Sequence, residues 1–315
     1  MIIQRYTGVI ITIYSSMNDH HIMDSHKHHW HILGAGAIGT LLAFKLSQQQ
    51  LAFTLIGRHA DNESRHFTDL NGVPHHLLGV ARESIDYLII CTKSTQALSA
   101  FSAIESRLHS QSVVICLFNG LGAQQMIQQR AGCPVLFATT TEGVTQVAPA
   151  SYRYKGAGQT LVDAAILQHM QPAELPKLLR TVDDIEQRLM HKLIINSLIN
   201  PLTALLDCEN GQLLSSKPAM VAMRLLAEEI ALWLATYRHR MPVEDVLKLA
   251  VDVIHLTANN SSSMRQDIKS HRVSEIDFIN GYWLAHNPQN INLEHNRCVV
   301  EKLKDLQNAF GQVQM

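Results

Sequence analysis

The sequence predicts an α/β fold, a doubly wound parallel sheet followed by an all-α C-terminal domain. Three observations carry that expectation. Short apolar strands alternate with helical stretches through the first half of the chain, a glycine turn links the first strand to its helix, and beyond about Arg188 long helical segments replace the strand pattern. A chain of 315 residues has room for two domains, each with its own core. The expected division is an extension over 1–28, an α/β domain over 29–186 and a helical domain over 187–315.

The first stretch carries one short apolar run, GVIITIY, and then HHIMDSHKHHWH, which has neither helical nor strand periodicity. As a signal peptide it would use Arg5 and the run Val9 to Tyr14, but that run is short and no small-residue cleavage site follows. The stretch reads instead as a disordered extension or as sequence ahead of a later start at Met17 or Met23. His20, His21, His26, His28, His29 and His31 are chemically able to bind a transition metal, but they lack the ordered ligand spacing of a built site, and no metal is expected.

The α/β domain opens with HILGAGAIGTLLAFKLSQQQLAFTLIGR, a strand, a glycine turn, an amphipathic helix and a second strand. Gly34, Gly36 and Gly39 form G-x-G-x-x-G, in which the first glycine permits the turn, the second lets a pyrophosphate approach the backbone and the third lets helix and strand pack closely. The N–H groups of the helix start, at Ala37 and Ile38, then point with the positive end of the helix dipole at the phosphates. This is a Rossmann-like, dinucleotide-binding arrangement. Where an enzyme of NAD would carry a carboxylate at the end of the second strand, the chain has Arg58, whose guanidinium can bind a 2′-phosphate and so favours NADPH. Further strands at DYLIICTK and SVVICLFNG put Lys93 and Asn119 just past carboxyl ends, where open α/β sheets bind ligands.

In the helical domain, QRLMHKLIINSLINPLTALL is apolar on almost every side except for one row, Lys192, Asn196 and Asn200, spaced four apart on one face. An ammonium and two carboxamides in a core helix are costly unless they line a polar cleft. Pro201 should bend or interrupt this helix. A second polar concentration, NNSSSMRQDIKSHRVSEIDFING, includes Asn259, Asn260, Ser263, Asp267, Glu275 and Asp277; Ser263 or a neighbour also reads as a helix N-cap.

Composition excludes some functions. Lys plus Arg number 26 against 27 Asp plus Glu, a net charge of −1 that offers no basic excess for nucleic acid. No apolar run approaches the roughly 18 residues of a membrane span. The five cysteines, Cys91, Cys116, Cys133, Cys208 and Cys298, are scattered and mostly in apolar runs, and read as buried, reduced thiols of a cytoplasmic protein.

HKLIINSLINPLTAL and SSSMRQDI…EIDFING closely resemble the two signature stretches of the ketopantoate reductase family, and GAGAIG, FNGLG and TTTEGV follow in the family's order, from about Trp30 to Asn296. The resemblance implies NADPH-dependent reduction of 2-dehydropantoate (ketopantoate) to (R)-pantoate, for pantothenate and coenzyme A synthesis, by hydride transfer to C2. It implies Lys192 as catalytic acid with Glu275, substrate contacts from Asn196, Asn200 and Ser263, and matched family positions at Asn119, Lys93, Arg58 and the glycine loop, of which Arg58 holds the cofactor phosphate. By residue type and place, Asn260 and Asn119 are further candidates for the substrate, and Asn119 and Lys93 for the cofactor. The partner is then a small 2-keto acid, and the chain a monomer or homodimer. The chain departs from the family pattern in its N-terminal extension, in Arg265, which adds positive charge beside Ser263, and in Phe118, which stands where a polar residue often precedes Asn-Gly. A related reductase of another 2-keto acid and a non-enzymatic NADP(H) sensor are the alternative readings.

Overall fold

The structure, a computed structural model, describes residues 28–58, 63–237, 240–287 and 290–311, together with the backbone of Arg5–Tyr6 and Val9–Ile10. Contacts divide the chain into two units, Met1–Phe118 with Gln124–Ile185 and Asn119–Ala123 with Glu186–Met315.

The first unit contains, in chain order, β1 (Arg5–Tyr6), β2 (Val9–Ile10), β3 (Trp30–Leu33), α1 (Ala37–Gln48), β4 (Phe53–Ile56), β5 (Arg65–Thr68), β6 (Pro74–Leu77), β7 (Ile85–Ile90), α2 (Ser94–Ser102), β8 (Leu108–Cys116), α3 (Ala123–Arg130, which begins at the boundary of the units), β9 (Val135–Thr140), β10 (Gly143–Ala148), β11 (Ser151–Gly156), β12 (Thr160–Asp163) and β13 (Leu179–Val182). The main sheet runs β13-β12-β9-β8-β7-β3-β4. From β9 to β4 every pairing is parallel, and β12 then joins β9 antiparallel. Parallel strands covered on both faces read as unbroken apolar runs, which is why Ile32, Ile89, Ile90, Val114 and Ile115, all completely buried, stood out in the sequence. β3 has β4 on one side and β7 on the other, so chain order reverses there; this is the switch point where such sheets open a crevice.

A second sheet, ordered β1-β2-β6-β5-β11-β10, was not foreseen. Its Phe67, Leu77, Tyr152 and Tyr154 share one core with Leu41, Leu42 and Leu46 of α1, and the Phe44 ring stacks on Phe67 at 4.7 Å between centroids. The expectation of a simply amphipathic α1 is therefore corrected: the helix has apolar contacts both toward the main sheet and toward the second one. A buried carboxylate fastens the two together. Glu142 accepts hydrogen bonds from Lys45 of α1, from the Tyr154 hydroxyl of β11 and from the Gly158 N–H.

Of the expected extension, the described backbone of Val9–Ile10 pairs in parallel with β6, Ile10 opposite His75. His20, His21 and His26 lie outside the described residues. His29 and His31 are core groups: His29 bonds Thr54 at 2.8 Å, and His31 donates to the Arg82 carbonyl at 3.0 Å. Burial pulls both imidazoles down, His29 to about 4, so they are neutral at physiological pH.

The second unit is helical: α4 (Ile185–Leu205, its first residue closing the first unit), α5 (Gln212–Ser215), α6 (Lys217–Thr236), α7 (Val243–Leu256), α8 (Ser263–Lys269), α9 (Asn280–Ala285) and α10 (Glu294–Asn308). Of the bend or interruption expected at Pro201, the interruption does not occur; α4 continues through it. Proline removes the N–H that would bond the carbonyl four residues back, that of Ser197. Here the Asn280 side-chain amide donates to that carbonyl at 3.0 Å, and the Trp283 indole N–H holds the Ser197 hydroxyl at 2.8 Å. Asn280 also donates to Asn296, and buried Glu229 caps the start of α10 by accepting the His295 and Asn296 N–H groups at 2.7 and 2.9 Å.

No helix among the described residues is long and apolar enough to cross a membrane. All five cysteines are free thiols, but only Cys116 is buried; the other four are half-buried, which corrects the expectation from their apolar neighbours.

Candidate active site

In the first unit, the three loop glycines answer to different constraints. Gly34 has φ +118°, and a Cβ there would lie 2.8 Å from the Thr92 nitrogen, so neither conformation nor space admits a side chain. A Cβ on Gly39 would collide with the Gly34 carbonyl, so this glycine lets α1 lie against the loop. Gly36 is the exception: a Cβ would meet nothing within 4 Å, and its backbone faces open space. It caps α1, whose first turn has no side-chain cap and no acidic residue, so the N–H groups of Ala37, Ile38 and Gly39 have the character of an anion site. These features fit a pyrophosphate. Lys93, half-buried, is the N-cap of α2 beyond the neighbouring strand β7. Arg58 is exposed two residues past β4, and residues 59–62 lie outside the described set.

In the second unit, Lys192, Asn196 and Asn200 follow one another along α4; Lys192 and Asn196 are half-buried and Asn200 is buried. Buried Glu275 leads into the short 3₁₀ turn Ile276–Phe278. Burial pulls the Lys192 ammonium down from its ordinary 10.5 to about 8, while the Glu275 charge opposes that shift. Asn119 joins them, its side-chain amide donating to Glu275 at 3.4 Å. That contact depends on the glycine pair. Gly120 has φ +78° and packs so closely that a Cβ would lie 2.5 Å from the Phe278 carbonyl, which also accepts the Leu121 N–H at 2.9 Å. Segment 119–123 thus belongs with the helical unit although it follows β8 in the chain.

In the turn before α8 the helix is capped by a neighbour of Ser263, one of the caps the sequence allows. The N-cap is Ser262, whose hydroxyl accepts the Arg265 N–H at 3.1 Å and the Thr203 hydroxyl at 2.7 Å. Ser263 is exposed, as are Asn259 and Asn260. The Arg265 guanidinium is turned to Asp207, with Nε 2.8 Å from Oδ1, so its added charge is paired there. Asp267 accepts from Arg272 at 3.2 Å and Asp277 pairs with Lys304 at 2.6 Å, which assigns both carboxylates to ion pairs. Phe118, the last residue of its segment in the first unit, is buried. The sequence reading passed over Asn210, because Asn-Gly reads as a turn. Its buried side chain donates to Thr257 at 3.0 Å, its N–H to the Asn260 carbonyl at 3.1 Å, and its Oδ1 has no hydrogen-bond partner among the described residues. An acceptor thus lies beside the Asn260 turn.

A glycine-loop α/β unit followed by a helical unit that carries a lysine, a glutamate and an asparagine together defines a class of two-domain oxidoreductases. The family "Ketopantoate reductase PanE/ApbA" matches residues 30–165, and "Ketopantoate reductase PanE/ApbA C terminal" matches residues 184–307. The chain belongs to the ketopantoate reductase family. It is 29% identical over 298 residues to the 2-dehydropantoate 2-reductase of Vibrio cholerae, covering 89% of this chain and 98% of the relative. Among solved structures, a PanE/ApbA family ketopantoate reductase from Ralstonia eutropha JMP134 superposes with a TM-score of 0.79 at 21% identity, covering 90% of this chain and 100% of the other. D-mandelate dehydrogenase with NADH and anilino(oxo)acetate superposes with a TM-score of 0.78 at 22% identity and the same coverage, a likeness of fold.

Proposed function

We propose that the chain reduces 2-dehydropantoate to (R)-pantoate with NADPH, as a cytoplasmic step toward pantothenate and coenzyme A, with Lys192 as general acid. One observation carries the chemistry: a lysine with its pKa drawn to about 8, next to a buried carboxylate that an asparagine holds. When bound, NADPH supplies the hydride that C2 of the keto acid accepts. Lys192 meets the negative charge that builds on the C2 oxygen and donates its proton there. An arginine would bring the charge but not a transferable proton. Glu275 holds Lys192 or the substrate's terminal hydroxyl, and Asn119 steadies Glu275. Asn196, Asn200, Asn260 and Ser263 hold the carboxylate and carbonyl, while the glycine loop, Lys93 and Arg58 hold the cofactor, Arg58 by its 2′-phosphate.

The test is loss of NADPH absorbance with purified protein and ketopantoate, run beside NADH, pyruvate and 2-ketoisovalerate. Fast oxidation of NADPH with ketopantoate alone is the expected result. Equal rates with NADH would remove the role given to Arg58, and turnover confined to another keto acid would move the chain to a different substrate.

A further inference from the structure

The peptide between Ala35 and Gly36 is held from below by two side chains from outside the glycine loop. Arg65 Nε and the Tyr152 hydroxyl both donate to the Ala35 carbonyl, each at 3.2 Å. Arg65 is 8% exposed and Tyr152 7%. They come from β5 and β11, which pair directly, Tyr152 lying opposite Phe67. The other two guanidinium nitrogens of Arg65 each make a hydrogen bond as well, Nη1 to the Ser64 carbonyl at 3.0 Å and Nη2 to Glu63 at 3.0 Å. So the guanidinium is fixed in place and the carbonyl direction with it.

No described peptide bond is cis, and across a trans peptide the N–H points opposite to the carbonyl. Fixing the Ala35 carbonyl toward Arg65 and Tyr152 therefore turns the Gly36 N–H the other way. This peptide can flip by rotation about ψ of Ala35 and φ of Gly36, the second of which glycine leaves free, and a flipped peptide would turn a carbonyl oxygen on an anion.

We propose that Arg65 and Tyr152 are positioning residues for the cofactor pyrophosphate: they clamp the Ala35–Gly36 peptide so that the Gly36 N–H meets the phosphate, without touching the cofactor themselves. This rests on the dinucleotide reading of the glycine loop and, through the adenosine 2′-monophosphate control, on the choice of NADPH over NADH, but not on the substrate.

The test is calorimetric titration of the full chain and its Tyr152→Phe and Arg65→Gln variants with three probes: NADPH, ADP-ribose, and adenosine 2′-monophosphate, which has no pyrophosphate. Loss of one hydrogen bond of ordinary net strength corresponds to roughly fivefold weaker binding. Both variants should lose about that much affinity for NADPH and ADP-ribose, and keep their affinity for adenosine 2′-monophosphate within about twofold. Unchanged ADP-ribose affinity overturns the clamp, and so does a parallel loss for adenosine 2′-monophosphate, which would mean a general structural role or a direct 2′-phosphate contact. Should Arg65→Gln not fold, Tyr152→Phe, which keeps the buried ring, carries the test. If the wild-type chain binds neither NADPH nor ADP-ribose, the dinucleotide reading fails and the clamp with it, a result distinct from wild-type binding that the variants share.

Discussion

Two glutamates of nearly equal exposure, Glu142 at 8% and Glu275 at 7%, each sit close to a lysine, yet their surroundings differ. Burial pushes the Glu142 carboxyl up, but hydrogen bonds from Lys45, Tyr154 and the Gly158 N–H, with the Lys45 charge, outweigh it and hold Glu142 below the usual carboxylate range. Glu142 therefore remains ionised at neutral pH, and its hydrogen bonds fasten α1 to the second sheet. At Glu275 the balance falls on the lysine, where burial brings Lys192 to about 8, within reach of a working proton transfer. Burial by itself does not separate a structural pair from a chemical one. The protonation equilibrium that the surroundings impose differs between the two pairs, and on the proposed function that difference is what separates them.

The largest effect that would break this comparison is on turnover. Lys192→Ala should lower the reduction rate by about 10²- to 10⁴-fold with cofactor affinity retained, measured by steady-state kinetics and titration. Unchanged turnover would place Lys192 with Lys45 as a structural group.

Glu142→Leu should instead cost stability, about 3 kcal/mol in denaturant unfolding, because Lys45 and the Tyr154 hydroxyl lose their common partner. The sign with pH is set by the lowered carboxyl: its contribution is present above the unfolded pKa and is lost as pH falls through the folded one. The wild type should therefore lose stability in acid more steeply than the variant. Equal acid sensitivity would show that the pair is not what holds α1.

Asn280→Ala should destabilise by about 1–3 kcal/mol, since the Ser197 carbonyl that Pro201 leaves open loses its side-chain donor. Pro201→Ala restores an N–H at that point, so the same Asn280 change should cost less in that background, as a double-mutant cycle would read. Additive costs would separate the two residues.

The smallest effect sharpens the pair itself. Reduction should slow as pH rises past about 8, where Lys192 loses its proton, and Glu275→Gln, which removes the charge that raises Lys192, should move that break to lower pH. A break that stays in place would mean that Glu275 does not act on Lys192.

Much of this architecture is legible without coordinates because it is local. LIIC and VVIC read as strands, since a parallel strand buried on both faces is continuously apolar. The Lys192 row was visible because four-residue spacing stacks side chains on a helix. The second sheet was not visible: RHFT, PHHL and SYRYKG are short and half-polar, and β5 finds its partner only where Tyr152 meets Phe67. Nor was the unbroken α4, whose compensating donor lies 83 residues further along the chain.

By itself the sequence determined what short-range patterning can encode: the strand–glycine–helix entry, the α/β then all-α order, and a lysine with two asparagines on one face of a core helix. Tertiary structure alone decided what that patterning meets in space. It brought Asn119 to Glu275 across 156 residues, made one glutamate a fastener and set the other beside a lysine of lowered pKa, and put Arg65 and Tyr152 beneath the glycine loop. The physical reason is that hydrogen-bond partners and burial, which set peptide orientation and protonation, come from residues distant in the chain.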